Sequence, residues 1–220
     1  MKLVRLTLLA LAGLFVFAST ALAAERVKPN IHFFSGAQDD AHWTPKDSSD
    51  PNRMAIELEV GPFATGGVGY AGLEFNHEEG RPAPAVEPYF FHKEDRESPQ
   101  GGGSPRLVIF FPTGRLELRP DDWATTWRKV GGEGEDGEEG NWDATGGTCG
   151  FLYDREYEEV RQCFDGQLVT NVHLVTDSNW MPDKMSGYTN WVDQIQYDGF
   201  LYSHARDNNN AQGKATGLLP

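Results

Sequence analysis

The sequence predicts an all-β fold, a single β-sandwich of jelly-roll type with long loops and little helix, on three observations. Six Trp, seven Tyr and thirteen Phe stand beside 25 Gly and 13 Pro in 220 residues. Aromatic side chains pack well on pleated surfaces, and Gly and Pro shape the turns between strands. Apolar residues also alternate with period two in several short runs, which sends every second side chain to one face of a sheet. Finally, no stretch longer than about ten residues carries a helical apolar period.

The first 23 residues read as a signal peptide. Lys2 and Arg5 form a basic start, Leu6 to Ala18 is apolar apart from Thr7 and Gly13, and Ala21-Leu22-Ala23 gives the small-x-small pattern that signal peptidase cuts behind. The apolar run is shorter than the ~20 residues that span a bilayer, so the expectation is cleavage after Ala23 and a secreted or periplasmic protein. The 197 residues that remain suffice for one well-cored domain, expected over 24–206.

An opening strand at Ile31 to Phe34 leads into a long loop. Met54, Ile56, Leu58 and Val60 alternate with small or charged residues, which marks a half-buried strand that Gly61-Pro62 ends. A second strand follows at Val68 to Phe75. Residues 76–104 read as loop around one aromatic piece, Tyr89-Phe90-Phe91. Next comes the clearest hairpin: Leu107 to Phe111 turns at Pro112-Thr113-Gly114 and returns as Arg115 to Arg119. Its outgoing arm is apolar throughout, as in a strand between two layers. A strand is expected near Thr126 to Val130, followed by the acidic loop GGEGEDGEEG at 131–140, which has no period and nothing to bury. Tyr153 to Arg161 supports two readings, a short helix with Tyr157 and Val160 at i, i+3 or a hairpin turning at Asp165-Gly166. Further strands are expected at Leu168 to Val175 and Val192 to Tyr197, before a disordered tail over 207–220.

Lys2 and Arg5 leave with the signal, so 17 basic residues face 33 acidic ones, a balance of −16. Such a chain repels nucleic acid and anionic membranes and makes a polyanionic glycan an awkward ligand unless a cation bridges the two, while a neutral polysaccharide, a cationic partner, an extracellular protein or Ca²⁺ is compatible with it. Cys149 and Cys163 are the two cysteines, and an even count in an exported chain favours one disulfide. A metal site made by them lacks a second Cys or His at finger-like spacing.

The segment Trp191-Val192-Asp193-Gln194-Ile195-Gln196-Tyr197-Asp198-Gly199 resembles the closing strand of secreted jelly-roll domains, among them carbohydrate-binding modules and concanavalin-like lectin domains. The resemblance implies a structural Ca²⁺ held by Asp193 with an early-strand carboxylate, Glu57 or Glu59, since Ca²⁺ takes six to eight oxygens. Sugar binding calls for aromatic faces beside polar groups that catch hydroxyls. Trp180, Tyr188 and Trp191 are the candidate ligand-binding residues, with Asp183, Lys184, Ser186 and Asn190 nearby, and Trp43, Trp123 and Trp142 also lie in polar stretches. Enzymatic motifs are missing: there is no E-x-D-x-x-E strand, no H-x-H or H-x-x-x-H pair, no G-x-S-x-G and no phosphate loop. No catalytic residue is assigned. The expected function is a non-catalytic, exported module that binds carbohydrate or another extracellular ligand. The alternatives are a glycoside hydrolase or polysaccharide lyase on the same scaffold, and a surface protein-interaction module.

Overall fold

A computed structural model describes residues 31–37, 39–45, 53–61, 69–75, 79–95, 104–120, 124–132, 141–177, 187–202 and 204–205. The signal segment, Trp123, the acidic loop from 133, Trp180 and the tail lie outside the described residues. The strands are β1 (Ile31–Ser35), β2 (Asp40–Thr44), β3 (Arg53–Val60), β4 (Tyr70–Phe75), β5 (Tyr89–Glu94), β6 (Arg106–Phe111) and β7 (Gly114–Arg119). They continue with β8 (Arg128–Gly131), β9 (Asn141–Gly146), β10 (Gly150–Arg155), β11 (Asn171–Asp177), β12 (Tyr188–Tyr197), β13 (Phe200–Tyr202) and β14 (His204–Ala205). One helix, α1 (Tyr157–Gln162), lies between β10 and β11.

Every pairing is antiparallel, and the strands form two seven-stranded sheets. Sheet A has the order β1-β4-β11-β6-β7-β9-β10. Sheet B runs β3-β12-β5-β8, with β2 and β14 also paired to β3 and β13 to β12. The chain passes from one sheet to the other at β1 to β2, β3 to β4, β4 to β5, β5 to β6, β7 to β8, β8 to β9 and β11 to β12, the crossing pattern of a β-sandwich of jelly-roll type. Inward positions alternate as the pleat requires: Leu73 and Phe75, Leu107 and Ile109, Leu116 and Leu118, Trp142 and Leu174 from sheet A meet Ile56, Leu58, Phe90, Val192 and Tyr197 from sheet B. Phe75 holds both layers, with Tyr197 stacked 6.0 Å away and Tyr202 edge-on at 4.7 Å. Burying each such side chain contributes about 1.5–3 kcal/mol.

Several elements depart from the sequence reading. Tyr89-Phe90-Phe91 is not a lone aromatic piece in a loop but the start of β5, an interior strand of sheet B. Its inward positions are Phe90, His92 and Glu94, and two polar residues there break the apolar alternation that marks strands. β2 falls in the expected long loop, and β9 and β10 were not anticipated, because Asp, Gly and Thr dilute their pattern. The ambiguous segment is a helix from Tyr157, with Tyr157 and Val160 buried and the Tyr157 hydroxyl donating to the Pro84 carbonyl at 2.8 Å. In the hairpin's apolar outgoing arm, Phe110 faces outward and meets the His173 ring at 5.1 Å rather than a third layer. Cys149 and Cys163 form a disulfide with their Cα atoms 5.3 Å apart, joining the β9–β10 turn to the end of α1. Among the described residues no helix is long and apolar enough to cross a membrane.

Candidate functional site on the outer face of sheet B

β12 is central to sheet B, with β3 on one side and β5 on the other. The pleat therefore decides which of the expected site residues share a face. Trp191 pairs with Glu57 on β3 and with Lys93 on β5, and Glu57 in turn pairs with His42 on β2, giving one outward row across four strands. The next row holds Asp193, Phe91 and Lys129, with Ala55 following in register on β3. A third row pairs Gln196 with Tyr89. Trp191, expected to bind ligand, and Asp193 and Glu57, expected together as calcium ligands, thus lie on one face.

Tyr188 does not join them. Three residues before Trp191, it points into the core at 4 % exposure. Burial holds its phenol above the ordinary range, so it stays neutral. There it belongs to an interior polar group: Asn190 Nδ2 donates to Thr176 Oγ1 at 2.7 Å, and Thr176 lies 3.4 Å from the Tyr188 hydroxyl. Glu94, opposite Asn190 on β5, accepts from Ser104 Oγ at 2.6 Å. Trp180 lies outside the described residues, whereas Trp43 and Trp142 are core residues rather than presented rings.

The floor of the outer face is closed and its margins are partly open. Glu57, Trp191, Asp193 and Gln196 are all buried, while Tyr89, Phe91, Lys93, Lys129 and His42 are half-buried. Trp191 Nε1 donates to Glu57 Oε2 at 3.0 Å, which fixes the indole, and Lys93 Nζ stands 5.2 Å from its ring centroid. Lys129 Nζ sits in the same way 4.7 Å from Tyr89, whose ring meets Phe91 edge-on at 6.3 Å. Burial and then a hydrogen bond to Glu57 hold the Glu59 carboxyl above its usual range. Phe91, Tyr89, Lys93, Lys129 and Gln196 escaped the sequence reading because β5 carries a weak strand signal, because the pairing that brings β8 beside β5 is not local, and because a Gln among apolar residues has no motif. The outward alternation Tyr89, Phe91, Lys93 was the one signal that could have found them.

The outer face of sheet A is different in kind. Phe34, His173 and Phe110 form an aromatic cluster, Phe34 tilted and Phe110 edge-on to the imidazole, with centroids 5.1 Å from it on each side. Gly72 makes room for it, since a Cβ there would stand 2.8 Å from the Phe34 ring and 2.6 Å from the Leu174 carbonyl. Burial lowers the His173 pKa against the opposing pull of Glu74. Beside this cluster the charges satisfy one another: Arg106 pairs with Glu117 at 3.2 Å and with Asp177, Arg115 with Glu117 at 3.0 Å, and Arg119 with Asp143 at 2.9 Å and with Asp154.

No protein-family model matches the chain, and neither does any curated protein. Among solved structures the fold is similar to "Crystal Structure of Family 30 Carbohydrate Binding Module", with 84% of this chain and 88% of that one covered, at 12% identity and a TM-score of 0.43. At that identity a ligand has to be read from this chain's own side chains.

Proposed function

We propose that the protein is exported and binds a neutral carbohydrate, without transforming it, through the outer face of sheet B. The observation that carries this reading is the interleaving on one face of Trp191, Phe91 and Tyr89 with Glu57, Asp193, Gln196, Lys93 and Lys129. Aromatic rings offer an apolar surface to the C–H side of a pyranose, and polar groups held by the sheet meet its hydroxyls in fixed directions. Both charge signs are present at the face, so it has no bias toward an ionic ligand, and the chain's net charge of −14 repels polyanionic glycans. The Cys149–Cys163 disulfide suits an oxidising compartment, and a mature N-terminus at Ala24 is the expected result of sequencing the exported protein.

Calcium belongs to the same proposal. Glu57 and Asp193 share the face; Glu57 accepts from Trp191 Nε1 at 3.0 Å and Asp193 from the Gln194 amide at 2.7 Å. Among the described residues no three His, Cys, Asp or Glu side chains converge, so an ion here would draw its remaining oxygens from backbone, water or the glycan.

The test is calorimetric titration and melting with laminarin, xylan, mannan and hydroxyethylcellulose, against alginate and polygalacturonate, in CaCl₂ and in EDTA. A neutral polymer should bind and raise the Tm, with both effects larger in calcium. Phe91→Ala, at a half-buried position, should weaken binding about tenfold, the equivalent of ~1.4 kcal/mol. Binding only to the uronate polymers, or to none, would overturn the glycan reading. New reducing ends or unsaturated products would convert it to an enzyme, and indifference to calcium would remove the ion.

A further inference from the structure

We propose that the ring cluster of Phe34, His173 and Phe110 is an acid-sensitive clamp on the first strand, holding β1 to sheet A while the imidazole is neutral and releasing it when the imidazole is charged. Among the described strands β1 is an edge of sheet A, and β4 is its one neighbour there. Phe34 reaches past that neighbour. It stands opposite Gly72, and because Gly72 has no side chain the ring lies across β4 against His173 of β11, with centroids 5.1 Å apart. Phe110 of β6 closes the other side of the imidazole edge-on, also at 5.1 Å. One imidazole thus ties an edge strand to the interior of the sheet.

Register fixes the charged groups around it. Glu74 of β4 lies directly opposite His173, its Oε1 4.0 Å from Nε2 and past hydrogen-bond reach, and His32 of β1 lies opposite Glu74. Glu79, which follows β4, shares with Glu74 and Asn171 a cavity open to solvent. On the other side Val108 of β6 is opposite His173, and beyond it Arg106 pairs with Glu117 of β7 and with Asp177 of β11, while Arg115 pairs with Glu117. Those four satisfy one another. Among the described residues Glu74 is the one carboxylate within 4.0 Å of the imidazole.

A neutral imidazole between two phenyl rings loses little on burial. An imidazolium there gives up hydration on both sides and meets Glu74 only at long range. Burial accordingly lowers the His173 pKa against the pull of Glu74. A histidine with a folded pKa below the unfolded value, about 6.5, contributes stability that is present above that value and lost as pH falls through the folded one. Phe34 is the side that yields. β6 is paired on both edges, to β11 and β7, whereas β1 is paired on one. The charged ring therefore gains water by displacing Phe34, and weakly held edge segments open ahead of the interior.

The experiment follows the His173 ring by NMR from about pH 8 to about pH 5, with amide hydrogen exchange over the same range, in the parent and in His173→Phe, which keeps a ring and cannot take a proton. The His173 ring should titrate below about 6.5. As it does, protection of the β1 amides relative to those of β6 and β7 should fall by roughly threefold or more in the parent and stay constant in His173→Phe. A ring titrating at or above the ordinary value, as it would if attraction to the phenyl faces outweighed lost hydration, overturns the clamp. So does a β1 protection ratio that ignores the ring's titration, or one that falls equally in both proteins. If His173→Phe does not fold, the parent alone decides, by whether the midpoints of the ring and of β1 protection coincide.

Discussion

Glu87 shows how a single side chain outside the binding face sets a pH response. Its carboxylate accepts from Trp142 Nε1 at 2.7 Å while half-buried against the core. Burial raises its pKa, and the hydrogen bonds from Trp142 and the Gly132 backbone only partly oppose that. A carboxyl with a raised folded pKa contributes stability that is fully present below the unfolded value, about 4.3, and is lost as pH climbs through the folded value. Glu87→Gln keeps an oxygen for Trp142 and has no charge to bury. The variant should therefore melt above the parent at about pH 7.5, with the gap closing toward about pH 4. A Tm difference that stays constant over that range would contradict burial as the cause. Trp142 was legible in the sequence only as a Trp in a polar stretch; its position in the core follows from β9 pairing with β7, a contact between segments separated by the acidic loop.

Among the elements, the β9–β10 hairpin and α1 depend on each other. A six-residue helix is too short to persist alone in water. It is held by Tyr157 and Val160, which face the core, by the Trp142–Tyr157 contact at 4.6 Å, and by the disulfide from Cys163 to the hairpin turn. The Thr148 amide donates to the Cys163 carbonyl at 2.9 Å, and Phe164 stacks on Phe111 at 4.4 Å, so the junction is packed even without the covalent bond. Closing a loop of this length limits the unfolded chain by about 3 kcal/mol. Replacing both cysteines by serine should thus lower the Tm by roughly 6–12 °C in a domain of this size. Urea titration would place that loss in the midpoint. A change below about 1 kcal/mol would show that packing alone secures the corner. The cysteine pairing was readable from count and compartment, while the choice between helix and hairpin for the residues between them was not. Tyr157 and Val160 at i, i+3 suited the helix, the Asp165-Gly166 turn suited the hairpin, and only contact with the core separates the two.

For the whole molecule, the strand order matters more than any single contact. β11 lies between β4 and β6, and β12 between β3 and β5, so among the described strands the two long ones nearest the C-terminus fill the middle of both sheets. Until they arrive, β4 and β6 have no partner in common, and neither do β3 and β5. Pairings of such sequence separation are slow to form because loop closure precedes any gain from contact. A chain ending at Thr170 should show no cooperative thermal transition and should bind the hydrophobic dye ANS, whereas the chain through Ala205 should melt in one step. A truncated chain that unfolds cooperatively would mean that the early strands form a stable unit without β11 and β12.

By itself the sequence determined the class of fold, because composition and period-two alternation are local properties that need no partner. It determined the disulfide pair for the same reason, there being two cysteines and one pairing, and it put Trp191, Asp193 and Glu57 forward as chemically suited residues. Tertiary structure decided what those residues can do together. It set Trp191, Asp193 and Glu57 on one face and turned Tyr188 to the other, it drew Phe91, Tyr89 and Lys93 alongside from a strand whose polar inward residues disguised it, and it returned Gln196 to the face of Asp193 through one extra residue in β12. The physical reason is that a strand's faces are assigned by register. Register is a relation between segments distant in the chain, and a single bulge reverses it for every residue that follows.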